Sequence, residues 1–374
     1  MITKSIHLIA FMLFLISNSF SQTVLETNID NYIQANLQEN NIPGLAIAIV
    51  VKDSVIISKG YGVRQYNKSE PVDDKSLFQI ASLTKPFTAT LIGMLKEQGV
   101  VAWDDKIIEH LPDFTLSDSC VTSMITISDI LSIRAGIQGT DNILSSSRKE
   151  YMTLLKNYPT SSGFRTEQSS FNTHYTIAGY LSERIEDQSW ESLVRKKILN
   201  PLGMISTFTS IETAIKATDN IALPHSQRSG EITPIDLTDV SIFSPAGGLI
   251  SNVSDLSKFI SLFLNYGTFG SQTYLSKSTI QQMFSPNMIV GDSFRALFNP
   301  YTKQMTFGYG WFLSYYEDYY VAEMEGSLPG TSSLIALIPD KEIGLVLLTN
   351  KHFCFNSLVE IKFHILDLLL EIDN

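Results

Sequence analysis

The chain has 374 residues, a formal net charge of −11, two cysteines and six histidines. That acidic balance, with no run of basic residues, excludes nucleic acid as a partner, because phosphate binding needs a basic face. Two cysteines exclude a disulfide-dense scaffold. They permit one bridge, Cys120 to Cys354, without arguing for it. The histidines show no paired spacing, so no metal and no cofactor is expected.

Lys4, the apolar run IHLIAFMLFLI and the small residues Ser19 and Ser21 have the order of a secretory signal peptide, with cleavage expected before Gln22. The run is too short to span a bilayer comfortably, and no later segment is long and apolar enough to try. The expected product is exported, periplasmic or secreted, without a stable membrane span, and residues 22–374 are read as its single domain.

Next, Ile29, Tyr32, Ile33 and Leu37 recur at helical spacing, and NNIPG closes that helix. GLAIAIVV and VIISKGYGVR flank the polar turn Lys52-Asp53-Ser54 and predict a hairpin, its first strand apolar enough to be covered on both faces. Helical periodicity then governs ISDILSIRAGI, YTIAGYLSERIE, WESLVRKKIL and VSDLSKFISLFLNYG, with Ser254 as the expected cap of the last. Strand pairs return around Glu317-Asp318 and Asp340-Lys341, and an apolar helix closes the chain. This order predicts an α/β (α+β) protein: an antiparallel sheet built from both termini, flanked by helices, with an all-helical lobe inserted. The sheet lobe would take about 22–75 and 285–374, the helical lobe about 76–284, with the site where they meet.

Within QIASLTKPFTATLIGML, Ser82 and Lys85 project from the same side of one helical turn. Burial disfavours the charged form of a lysine, so a buried amine beside a hydroxyl can serve as the base that makes it a nucleophile. The spacing S-x-x-K alone is weak; a helix-capping serine beside a lysine reaching solvent satisfies it equally well. The stretch Phe78 to Thr90 as a whole, however, resembles the active-site helix of serine β-lactamases, D-alanyl-D-alanine carboxypeptidases (penicillin-binding proteins) and related esterases. Further blocks resemble that family in its own order: ITISDILSIRAGI, NPLGM (Asn200 to Met204), PAGGLISNVSDLSKF (Pro245 to Phe259), FGYGW (Phe307 to Trp311) and EGSLPGTSSLIALIPDKEIGLVLLTN. The resemblance covers nearly all of residues 22–374.

That resemblance implies an exported serine hydrolase forming an acyl-enzyme on Ser82, with Lys85 as general base. Its substrate would be a small molecule or peptide with an ester, amide or peptide bond. The second motif reads Ser170-Phe171-Asn172 where class C-like members have Y-x-N; Ser170 takes the proton-relay role and Asn172 holds the substrate amide. The third motif reads Met324-Glu325-Gly326, so the lysine or histidine that recognises a substrate carboxylate is absent, unless Arg134 or another nearby cation replaces it. Met324, Gly326 and Ser327 would line the substrate, with the backbone N–H groups of Ser82 and Ser327 as oxyanion donors. Glu325 is expected to face solvent, since strand residues alternate faces. The alternative is a catalytically weak or inactive penicillin-binding-like relative that binds peptidoglycan-type or peptide ligands.

Overall fold

The computed structural model describes residues 23–138, 143–160, 163–228 and 230–372. The leader-like segment lies outside the described residues. No described helix is long and apolar enough to cross a membrane.

Eight strands form the main sheet: β1 (Gly44–Val51), β2 (Ser54–Gly62), β3 (Met288–Ile289), β4 (Thr306–Phe307), β5 (Phe312–Tyr316), β6 (Tyr319–Leu328), β7 (Thr331–Ile338) and β8 (Ile343–Thr349). They lie in the order β2-β1-β8-β7-β6-β5-β4-β3, every pair antiparallel. The first and last thirds of the chain therefore meet at β1 and β8, where Leu45 faces Thr349 and Val51 faces Ile343. Chain order makes this pairing remote in sequence, and the apolar content of both strands makes it favourable, because each is buried on both faces. The expected hairpin turns at Lys52-Asp53, Glu317-Asp318 and Asp340-Lys341 all form.

One sheet face packs against helix α1 (residues 23–39) and a C-terminal helix, Phe355–Leu370. Ile29, Ile33 and Leu37 meet Leu358, Ile361 and Ile365 there, over Leu45, Ile47 and Leu347. The other face carries Ala46, Ala48, Val50, Val346 and Leu348 and packs on the helix Val253–Leu264 through Phe259, Ile260 and Leu264. The small alanines of β1 let that helix approach closely. Its cap is Asn252, whose side chain accepts from Asp255 N, and not Ser254; Ser254 lies inside the first turn and donates to Asp74 instead. The stretch ISDILSIRAGI forms a helix over Ile127–Leu131 alone, because Ile133 turns into the left-handed region at φ 56°. Likewise WESLVRKKIL is α-helical over Trp190–Val194 and continues as a π-helical turn, Arg195–Leu199.

Candidate active site

The sequence Ile80-Ala81-Ser82-Leu83 makes a tight 3₁₀ turn before the helix Thr84–Glu97. Ala81 sits at φ 50°, a left-handed conformation that is unfavourable for a residue with a Cβ, and strain of this kind clusters at functional sites. The turn leaves Ser82 partly exposed while Lys85, one turn on, is 1% exposed. Pro86 falls within the first helical turn, where a missing N–H breaks no helical bond.

Lys85 Nζ donates to Ser82 Oγ at 2.6 Å, to Asn172 Oδ1 at 2.9 Å and to the Ala246 carbonyl at 3.0 Å. These three partners are neutral oxygens and fix the amine against the hydroxyl. The reading in which Lys85 reaches solvent is thereby excluded. The Ala246 carbonyl belongs to a short helix, Ser244–Gly247, that is locked to the Ser82 helix by further bonds. Thr88 Oγ1 donates to Pro245 O at 2.6 Å and accepts from Trp190 Nε1 at 3.0 Å, and Leu249 N donates to Thr84 Oγ1 at 3.2 Å. The PAGGL block is thus a wall of the lysine pocket, a role its sequence does not announce, since a backbone carbonyl has no residue signature.

Asn172 and Ser170 stand at the start of the helix Phe171–Glu186. Ser170 precedes the first turn, partly exposed, and its hydroxyl donates to Thr173 Oγ1 at 3.2 Å; Thr173 also meets the Tyr151 hydroxyl at 2.7 Å. His174 anchors the same corner. It is fully buried, with Nδ1 at the Ser170 carbonyl and Nε2 facing Ala135 N and Ser169 Oγ, both at 3.2 Å. A carbonyl only accepts, so Nδ1 carries the proton and Nε2 is free to accept. Burial pulls this imidazole down to about 4, which keeps it neutral at physiological pH. Sequence reading passed over His174, Tyr151 and Thr173, which give no motif signal.

Strand β6 supplies the opposite wall. A Cβ on Gly326 would lie 2.6 Å from Ile80 O and 2.9 Å from Ser82 N, so only glycine lets the strand run this close to the Ser82 backbone. Ser333 Oγ ties the same strands to the turn by donating to Ile80 O at 2.8 Å. Ser327, next along, is partly exposed at the strand end, its hydroxyl near Thr331 O at 3.3 Å. Met324 is 2% exposed and packs in the main apolar core, so its side chain presents almost no surface to a ligand. Arg134 is not a spare cation: it binds Asp129 at 2.8 Å and also donates to Asn287 O.

Glu325 does not face solvent. It alternates to the second sheet face as expected, but that face is covered by the C-terminal helix, and the carboxylate is buried with both oxygens lacking a hydrogen-bond partner. Beside it Lys362 Nζ holds Glu323 at 2.6 Å, both side chains fully buried. Burial, and then the Glu323 charge, push the Glu325 carboxyl well above the usual range, so it carries its proton. Cys120 is exposed and Cys354 buried, and both are free.

A serine hydroxyl, a buried amine, an asparagine amide and a close glycine-bearing strand thus converge on one turn, and similar chains are known. The family model "Beta-lactamase" matches residues 29–360. "Unguisins hydrolase ungD" of Aspergillus violaceofuscus is 28% identical over 360 residues, covering 89% of this chain and 63% of that protein. "Protein flp" of Staphylococcus aureus is 25% identical over 338 residues, covering 87% and 63%. The chain thus spans 63–66% of the length of the first relatives it matches. Among solved structures, the octameric penicillin-binding protein homologue from Pyrococcus abyssi superposes with a TM-score of 0.79 at 24% identity, covering 92% of this chain and 77% of that one. A class C beta-lactamase from Rhodobacter sphaeroides gives 0.75 at 17%, covering 91% and 99%; both likenesses concern the fold. With the family match running from the first helix into the last, this chain belongs to the beta-lactamase family.

Proposed function

We propose that the protein is an exported serine hydrolase that cleaves an ester, amide or peptide bond through an acyl-enzyme on Ser82. The observation that carries this reading is Lys85 Nζ, buried and 2.6 Å from Ser82 Oγ. Lys85 acts as the neutral amine, keeping its two N–H groups on Asn172 and Ala246 and turning its lone pair to Ser82, and takes the hydroxyl proton as Oγ attacks the substrate carbonyl. The oxygen that becomes negative is met by the backbone N–H groups of Ser82 and Ser327, at the place where Gly326 brings β6 against the turn. The tetrahedral intermediate collapses with loss of the C–O or C–N bond; Ser170 hands its proton to the leaving group and is reprotonated with the proton that Lys85 took, so both groups end the step as they began it. Water then attacks the acyl ester, releasing a carboxylic acid and restoring the Ser82 hydroxyl. Asn172, already bound to Lys85, turns its remaining amide capacity to the substrate. Export rests on the leader-like N-terminus.

Met324 leaves the third motif without a cation, and Arg134 is engaged elsewhere. Neutral esters and amides therefore suit the site better than substrates recognised by a carboxylate. The same observation favours the second reading, a weak or inactive relative that binds peptide or peptidoglycan-type ligands. Labelling with a fluorophosphonate, followed by intact mass after incubation with an activated ester and with a penicillin, separates the two. A covalent adduct that is absent from Ser82→Ala supports the hydrolase; no adduct with any reagent leaves the binding reading.

A further inference from the structure

A second cavity, of about 260 Å³, opens at the other end of the helix that carries Asn172. Tyr180 and Arg184 line it, and Arg184 lies twelve residues along from Asn172, roughly 18 Å at the helical rise. Its floor is apolar: Leu111, Phe114 and Met152 are each 5% exposed. Its mouth holds two cations, Lys149 and Arg184, both exposed.

The charges around the cavity are unevenly settled. Arg148, next to Lys149, is neutralised by Glu183 and Glu191, and His110 is paired with Asp105 at 2.9 Å. Those carboxylates are therefore occupied. Lys149 and Arg184 form no ion pair and no side-chain hydrogen bond among the described residues, in a chain whose formal net charge is −11. Asp113 also lines the mouth, so the lining keeps two unpaired cations against one exposed carboxylate. An apolar floor under an uncompensated positive mouth complements a small amphipathic anion.

We propose that this cavity is a second ligand site for a small organic monoanion: a carboxylate head between Lys149 and Arg184, and a compact apolar body over Leu111, Phe114 and Met152. The floor helix, Arg148–Leu154, also carries Tyr151, whose hydroxyl meets Thr173 beside Ser170. An occupant would thus rest on a helix that reaches the candidate active site.

The test is calorimetric titration of the Ser82→Ala protein, in which no acylation at Ser82 can intrude, with octanoate, octan-1-ol and octylammonium. Octanoate is expected to bind with one-to-one stoichiometry, at least tenfold more tightly than either of the others. Lys149→Ala/Arg184→Ala, two exposed positions with no ion-pair or hydrogen-bond partner among the described residues, should weaken octanoate at least tenfold while leaving thermal unfolding nearly unchanged. No heat from octanoate up to millimolar concentration would overturn the proposal. So would equal binding of octan-1-ol, or an affinity unmoved in the double variant. None of these outcomes bears on whether Ser82 is acylated.

Discussion

Gly326 lies so close to Ser82 that a single methyl group on its Cα would stand 2.9 Å from the Ser82 nitrogen. It would also meet the Ile80 carbonyl at 2.6 Å. Both are backbone atoms that cannot swing aside, so Gly326→Ala must push β6 away from the Ser82 turn. Overpacking of this kind costs about 1–3 kcal/mol. The donor pair formed by Ser82 and Ser327 would open at the same time, and an ångström of misplacement costs on the order of 100-fold in rate. Acylation by an activated ester, followed by intact mass, should fall at least tenfold. An unchanged rate would show that Ser327 does not serve the oxyanion.

Ser82→Ala should abolish acylation while leaving the melting temperature nearly unchanged, since the hydroxyl's role is chemical. Lys85→Ala should slow acylation at least about 100-fold, the lower end for loss of a general base. Near-normal turnover without Lys85 would assign the base elsewhere, despite the 2.6 Å contact.

Ser170 tests the relay. A good leaving group scarcely needs a proton, whereas an amine does, so Ser170→Ala should slow amide or β-lactam cleavage more than cleavage of an activated ester. Equal slowing of both would reduce Ser170 to its hydrogen bond with Thr173.

His174 makes stability pH-dependent. Its imidazole is held down to about 4 by burial, against an ordinary value near 6.5. The unfolded chain therefore takes up the proton first. The stability is fully present above about pH 6.5 and is lost as pH falls toward 4, by about 3 kcal/mol in total from this group. Denaturant unfolding at steps across that window should show the loss, and His174→Gln should flatten it. A wild-type profile that is already flat there would contradict the neutral, Nδ1-protonated assignment.

Glu325 works in the opposite direction. Its folded carboxyl titrates above the ordinary value, so its stabilising contribution is complete at low pH and erodes as pH rises from about 4.5. Glu325→Gln keeps the shape and removes the titration, so the variant should be more stable than the parent at pH 7 and by a wider margin at pH 9. Lys362→Met instead strands the Glu323 carboxylate beside it and should cost about 3–5 kcal/mol. Equal effects of the two substitutions on denaturant midpoints would refute a protonated Glu325.

Local order was legible in the chain itself. Alternation and turn residues gave the three hairpins; apolar spacing gave the long helices, and S-x-x-K with its flanks gave the contact between Ser82 and a buried Lys85. These are properties of neighbours in sequence, where the strand and helix periods act directly on the residues. What folding alone decided is which groups from distant segments share a place. Ala246 offers Lys85 a carbonyl across 161 positions, and a carbonyl carries no residue identity. His174 looks like any polar residue on a helix until Ser169, Ser170 and Ala135 surround it. Glu325 obeyed strand alternation and still missed the solvent, because alternation fixes which face a side chain takes and the C-terminal helix decides whether that face is wet.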